Sequence, residues 1–425
     1  MPRQEPTATT APPGSTAPGA RGWLRATFSS LQVRNFRIYY AGQTASMIGT
    51  WMRRTALGWV VYEMTGSRAM LGTVMGMALL PMFLLSPLAG TIADRVDKRR
   101  MVILTQLLAA CSSALIALLL LTGWAQVWHL LALATLGGIA FAFEVPARQA
   151  FVSEIVGREH LLNAVALNSV LVNSSRVLGP AVAGLVMAAV GAGWCFLLDA
   201  ASYLVVTGTL LALRLPPHRP PARRTSHWQD LLEGFREAHR NDVVRTLLLL
   251  LCLMGVFGWA CQTLMPAIAQ DLLHLGEWEY GLLTAMFGVG AIAGALVVAA
   301  RTASGTSRLQ VFGGVWLLCV GALAVAASRH PVPMGAGLAV AGFGAVMFMS
   351  TSNTLVQMSV EDGLRGRIMG IWSVGFGGAL PAGSFLAGWL AQLVSPYLTI
   401  AVFAAILAAA SLLIWRRLPP PASAG

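Results

Sequence analysis

The sequence predicts an all-α integral membrane protein in which twelve transmembrane helices form two pseudo-symmetric halves of six. The first observation behind this is composition: of 425 residues, 56% are hydrophobic and 11% charged, too little polar surface to coat a soluble globule of 44.9 kDa. The second is arrangement. Polar residues cluster between apolar runs of roughly 18 to 28 residues, each long enough at about 1.5 Å per residue to cross a hydrocarbon core. Lipid offers the backbone no hydrogen bonds, so such runs must be helices. The third is the stretch PPHRPPARRTSHWQDLLEGFREAHRND, whose prolines and charges separate six runs from six.

The apolar runs place the spans, in order, at about 36–62, 69–93, 101–122, 127–147, 163–190 and 194–213, then 244–270, 280–300, 309–328, 334–358, 368–394 and 397–415. The organisation is therefore a disordered basic tail at 1–35, a first half at 36–213, a cytoplasmic linker at 214–243, a second half at 244–415 and a tail at 416–425. Within the linker Trp228, Leu231, Leu232 and Phe235 recur at helical spacing, which predicts a short amphipathic helix along the membrane surface. Duplication of the halves leaves a faint echo. Gly90 in Leu88-Ala89-Gly90 and Gly294 in Ile292-Ala293-Gly294 stand at an offset that also carries Gly184 onto Gly388.

A formal charge of +12 suggests nucleic acid only if the basic side chains form an exposed stripe interleaved with aromatics, and they do not. They sit between spans instead. Of 29 Lys and Arg, 24 fall on the side of the termini, only Arg68 and Arg329 fall opposite, and Arg53, Arg54 and Arg176 lie within spans. The positive-inside rule then puts both termini in the cytoplasm and the chain in a cell membrane. No cleavable leader is expected, the first span serving as its own insertion signal. The five cysteines fall singly inside apolar runs, without a CxxC pair, so neither metal nor cofactor is implied.

Between the second and third spans stands GTIADRVDKRR, carrying Gly90, Asp94, Arg95, Lys98, Arg99 and Arg100. It resembles the G-x-x-x-D-R-x-G-R-R signature of the major facilitator superfamily, with Asp97 where the family has its second glycine. RVLGPAVAG in the fifth span looks like the family's G-P-x-x-x-G antiporter motif through Gly179, Pro180 and Gly184. EVPARQAFVSEIV and HLGEWEYGLL resemble the siderophore (enterobactin) exporter subgroup. The resemblance covers nearly the whole chain, although Val298 stands where the second half would repeat the aspartate. It implies alternating access and proton-driven export of a drug or siderophore-like metabolite. Independently of the family, a carboxylate at Asp94 suits a gate against the positive N-terminal end of the eleventh span, near Arg365 and Arg367, while the basic residues after it equally suit loop anchoring. Gly179, Pro180 and Gly184 permit close helix approach and a bend.

Ionisable groups at bilayer depth are costly and mark substrate or proton handling. Arg176 lies mid-span, too deep to snorkel, and is the foremost candidate. Arg53 and Arg54 are successive residues about 100° apart on the first span, so one faces the cavity and the other is expected to snorkel outward. Asp199 suits either a helix N-terminus or a proton site, and Glu144, one turn from Arg148, suits a local ion pair or proton coupling. Burial disfavours a charged carboxylate, which lets substrate and proton compete for one site. Gln43, Asn173, Gln262, Asn353 and Gln357, with Trp259 and Trp372, offer either cavity lining or helix packing. The expected partners are a small amphipathic molecule, a proton as coupling ion and membrane lipid, with a monomeric chain. Lysolipid movement by the same fold is the alternative transport reading. An enzyme or a receptor fits poorly: no HExxH motif is present, and the longest soluble stretch is shorter than a domain.

Overall fold

The computed structural model describes residues 29–213, 235–301 and 308–415. Among them are twelve long helices: α1 Arg34–Thr65, α2 Arg68–Arg95, α3 Lys98–Leu121, α4 Val127–Gly157, α5 Glu159–Val190, α6 Ala192–Ala212, α7 Asp242–Leu272, α8 Glu277–Arg301, α9 Arg308–Ala327, α10 Pro331–Met358, α11 Asp362–Leu393 and α12 Pro396–Ile414. Eleven are long and apolar enough to cross a membrane. The exception is α1, which is long enough but too polar, with Gln43, Arg53 and Arg54 along its length. Those groups are sheltered by protein rather than presented to lipid: Gln43 is buried and Arg53 is bound to a buried acid.

Local chemistry sets the helix ends. Ser67 caps α2 by accepting from the Met70 N–H, and Ser395 caps α12 by accepting from Leu398, with Pro396 at its first position. Asp97 holds φ −61°, so no left-handed glycine is needed there, and its carboxylate accepts the Arg100 N–H at 3.1 Å as the cap of α3. The departure from the family signature thus supplies a helix cap.

The helices overrun several predicted span limits. The fourth helix continues past 147 to Gly157, and α5 begins at Glu159 rather than 163; Gly157, with φ 73°, turns the chain between them. The overrun is amphipathic: Phe151, Ile155 and Val156 are buried in an apolar cluster with Phe36, Tyr39 and Val102, while Ser153 and Glu154 are exposed. Likewise α11 starts at Asp362 rather than 368. Conversely, α7 is one predicted span but two helical pieces, broken between Phe257 and Ala260 and ending in a π-turn at Ile268–Leu272 beside Pro266. Of the linker helix, Trp228, Leu231 and Leu232 lie outside the described residues, while 235–240 is helical with Phe235 exposed.

The halves meet along two seams, α2 with α11 and α5 with α8. Each seam brings backbone against backbone at the end remote from the termini, the distal side. A Cβ on Gly72 would stand 2.7 Å from Gly388 Cα, and one on Gly281 would stand 2.6 Å from Gly184 Cα. Backbone contact of this kind needs glycine on both helices. Gly184 and Gly388, the pair at the common sequence offset, therefore occupy equivalent places in the two seams. Five turns along α2 from Gly72, on the same face, lies Gly90; five turns back along α11 from Gly388 lies Gly370. A Cβ at either would meet nothing within 4 Å among the described residues. A Cβ on Gly378 would still meet the Phe83 ring at 2.4 Å, so α2 and α11 part only beyond Phe83, and the cleft between the halves is closed on the distal side.

Candidate functional site

At the closed end of the cleft lies a cavity of about 60 Å³, between α1, α5, α7 and α8, with Met75 of α2 and Ser384 of α11 completing the wall. From α1 come Trp51, Arg54 and Thr55, which share one helix face at positions i, i+3 and i+4. From α5 come Arg176 and Pro180, one turn apart. The break in α7 leaves Trp259 at the start of its second piece, where its ring meets Phe287 and Phe376 edge-on at 5.9 and 5.8 Å. Gln262 follows on the same face.

The Arg54 guanidinium carbon lies 5.6 Å from the Trp51 ring centroid and that of Arg176 lies 5.4 Å from the same ring. No lining residue is acidic. Neither arginine has an ion-pair partner among the described residues, and Arg176 Nε is buried without a hydrogen bond.

Arg53 turns away from the cavity. It does not snorkel as expected, because Asp199 of α6 offers a buried partner: Nε lies 3.0 Å from Asp199 Oδ2. Ser113 of α3 donates to the same oxygen at 2.9 Å, and Asp199 is completely buried. The second oxygen, Oδ1, has no hydrogen-bond partner and faces Gly49. Asp199 is therefore held by α3 and α1, not by the N-terminus of its own helix. Glu144 is bound to Arg148 at 2.9 Å within α4, and both are nearly buried.

The distal side is sealed above the cavity. Tyr280 donates to the Thr55 carbonyl at 3.2 Å and Gln270 to that of Trp59 at 3.2 Å, each bond joining the two halves. Beyond them Asp271 accepts from Tyr62 and pairs with Arg68 at 3.3 Å, and Gln392 accepts the Arg68 N–H at 2.9 Å.

A sequence profile described as transmembrane secretion effector, a major facilitator group, matches residues 25–424. The chain belongs to that family. The transporter is 25% identical over 353 residues to the staphyloferrin A transporter of Staphylococcus aureus, covering 82% of this chain and 88% of that protein. It is 28% identical over 371 residues to the enterobactin exporter EntS of Citrobacter koseri, covering 85% and 86%. Among solved structures it matches a bacterial homologue of the human lysosomal transporter Spinster at TM-score 0.67 and 14% identity, over 94% and 98% of the two chains. It matches the nucleoside transporter NupG at TM-score 0.70 and 12% identity, over 89% and 99%. These last two show the fold alone. The family and its relatives are transporters, not enzymes.

In this transporter the other sequence candidates are dispersed. Gln43 is buried, with Oε1 lacking a partner, Asn173 donates to Ser169 one turn back, and Gln357 donates to Asn353 at 2.6 Å. None of the four lines the cavity, whereas Gln262 does. Trp372 is buried in the core. In the loop signature Lys98 pairs with Glu154 of α4, Arg99 donates to the Leu211 carbonyl at 3.0 Å, and Arg100 stands 3.9 Å from Asp97. All three stay within the first half. The side chains of Asp94 and Arg95 lie outside the described residues. In the α5 motif Gly179 packs on Trp51 and Gly184 on α8, so the motif sets both the cavity wall and a seam. Sequence reading missed Trp51, Tyr280 and Ser384. For Trp51, its position three residues before Arg54 and on the same helical face was the available signal.

Proposed function

We propose that the transporter is a proton-coupled exporter of a small amphipathic, siderophore-like molecule, with both termini and the linker in the cytoplasm. The observation that carries this is the adjacency of Arg53 and Arg54: one residue holds the buried carboxylate Asp199, the next reaches the substrate cavity. A shift or rotation of α1 moves both. Protonation at the unpartnered Asp199 Oδ1 releases Arg53 and repositions Arg54, which couples proton uptake to loss of substrate. Siderophore-like cargo is supported by the staphyloferrin A and enterobactin relatives, and the cytoplasmic termini by the one-sided basic loops. When the cleft closes toward the termini, Asp94 is assigned the closing contact against the N-terminal end of α11, near Arg365 and Arg367.

The test is flux in proteoliposomes. An imposed pH gradient should drive substrate movement, dissipating it should stop movement, and Asp199→Asn should leave substrate exchange but abolish the gradient dependence. Asp94→Asn should lower the rate with insertion intact. Gradient-independent flux in the wild type would remove the coupling assignment, and an unchanged Asp94→Asn rate would remove the gate.

A further inference from the structure

We infer that the cavity binds a soluble polyanion with an aromatic body, its carboxylate or phenolate groups received by Arg54 and Arg176 over the face of Trp51. This deepens the transport reading and rests on the cavity being the substrate site. The first argument is charge balance. Two guanidinium groups, each within 6 Å of the same ring centroid, enter a cavity whose lining contains no acid. The nearby carboxylate, Asp199, is already engaged by Arg53. An unpaired cation taken out of water costs several kcal/mol, and two that face one cavity also repel. A fold meets that cost twice in one place when a ligand supplies the missing charge.

Geometry narrows the ligand. Each guanidinium presents a planar fork matched to two oxygens, so two arginines suit at least two anionic groups. Trp51, Trp259 and Phe287 give the same cavity an aromatic wall. At about 60 Å³ the cavity holds only part of such a molecule, the ring edge and the anionic oxygens that meet the two arginines, and the rest extends away from the distal seal. Lipophilic cations, the opposite class of amphipathic cargo, meet like charge here.

The purified full chain in neutral detergent permits a direct test by thermal unfolding. Benzene-1,3,5-tricarboxylate should raise the midpoint by several degrees, and its trimethyl ester and tetraphenylphosphonium should not. Arg54→Gln and Arg176→Gln should each weaken the tricarboxylate response at least tenfold in concentration, with Arg176→Lys retaining part of it. Because each glutamine removes a partly buried charge that has no acidic partner among the described residues, both variants should unfold a few degrees higher than wild type without ligand. Stabilisation by tetraphenylphosphonium in place of the tricarboxylate would overturn the inference. So would a tricarboxylate response that survives both substitutions, or lower ligand-free midpoints in both variants. Lysophosphatidylglycerol distinguishes the source of the anion: stabilisation by it but not by the tricarboxylate would replace a soluble polyanion with a lipid headgroup and overturn the class named here. Binding is read without flux, so a protein that binds the tricarboxylate yet moves nothing in vesicles would contradict the transport mechanism and leave the anion site standing.

Discussion

Replacing Arg53 with glutamine is expected to cost about 3–5 kcal/mol of stability, the usual penalty for leaving one member of a buried ion pair uncompensated. Asp199 has no exposed surface, and Arg53 and Ser113 are the groups that bind its Oδ2. Nothing nearby replaces the lost charge, because Oδ1 already lacks a partner. Asp199→Asn strands Arg53 instead, with a smaller loss, since that side chain keeps 17% exposure and retains access to water. Joining the two changes removes both charges, so the double variant should recover most of the stability lost by Arg53→Gln. The measurement is a double-mutant cycle by unfolding in mixed micelles, with size-exclusion profiles reporting folded yield. A single Arg53→Gln variant as stable as wild type would show that the pair carries no weight. The neighbouring residue reverses the sign: Arg54 has no acid to abandon, and its neutralisation stabilises. Opposite responses from adjacent arginines are hard to produce by any general effect of charge in α1.

The sequence exposed what depends on one helix at a time. Apolar run length located the spans, and depth alone marked Arg176, because a charge that far from either surface must face protein or water. That Arg53 and Arg54 diverge follows from the 100° step. Which of them faces the cavity does not, because it depends on where α6 places Asp199. The same limit explains Trp51, Tyr280 and Ser384: each is an ordinary apolar or weakly polar residue on its own helix and becomes part of the site only when helices from both halves converge. Polar residues misled for a related reason. Asn173, Asn353 and Gln357 satisfy themselves along their own helices, which lets them sit at membrane depth without a cavity. Helix ends ran past the hydropathy limits where an amphipathic stretch continued the helix, as at Phe151–Val156. The glycine echo was faint because two matches among 44 glycines carry little weight, yet Gly184 and Gly388 turn out to be equivalent places where the backbones of the halves touch.

Those touching points give the second large effect. Gly281→Val is expected to lower transport at least tenfold by preventing the distal side from closing. A Cβ there would stand 2.6 Å from both Gly184 Cα and the Pro180 carbonyl oxygen, so α5 and α8 must separate to admit it. Backbone atoms on both sides cannot rotate aside as a side chain would. Overpacking of this kind costs about 1–3 kcal/mol, and each 1.4 kcal/mol changes a conformational ratio about tenfold. The polar contacts above the seam cannot compensate. The Arg68–Asp271 pair is partly exposed on both members, so it is worth less than about 1 kcal/mol. The penalty falls only on the conformer described here, because the opposite one parts this seam in any case; the substitution therefore shifts a population rather than unfolding the protein. In a background without the native cysteines, Gln262→Cys reports the cavity to a membrane-impermeant thiol reagent added from the distal side. Labelling should accelerate when Gly281→Val is added, and Gly72→Val in the equivalent seam should act likewise. Unchanged labelling and normal flux in both would mean that the seams are incidental packing. Acceleration in both would mean that closure on this side is set by backbone contact at two glycine pairs, with the ion pairs and hydrogen bonds above them serving to align the halves as they meet.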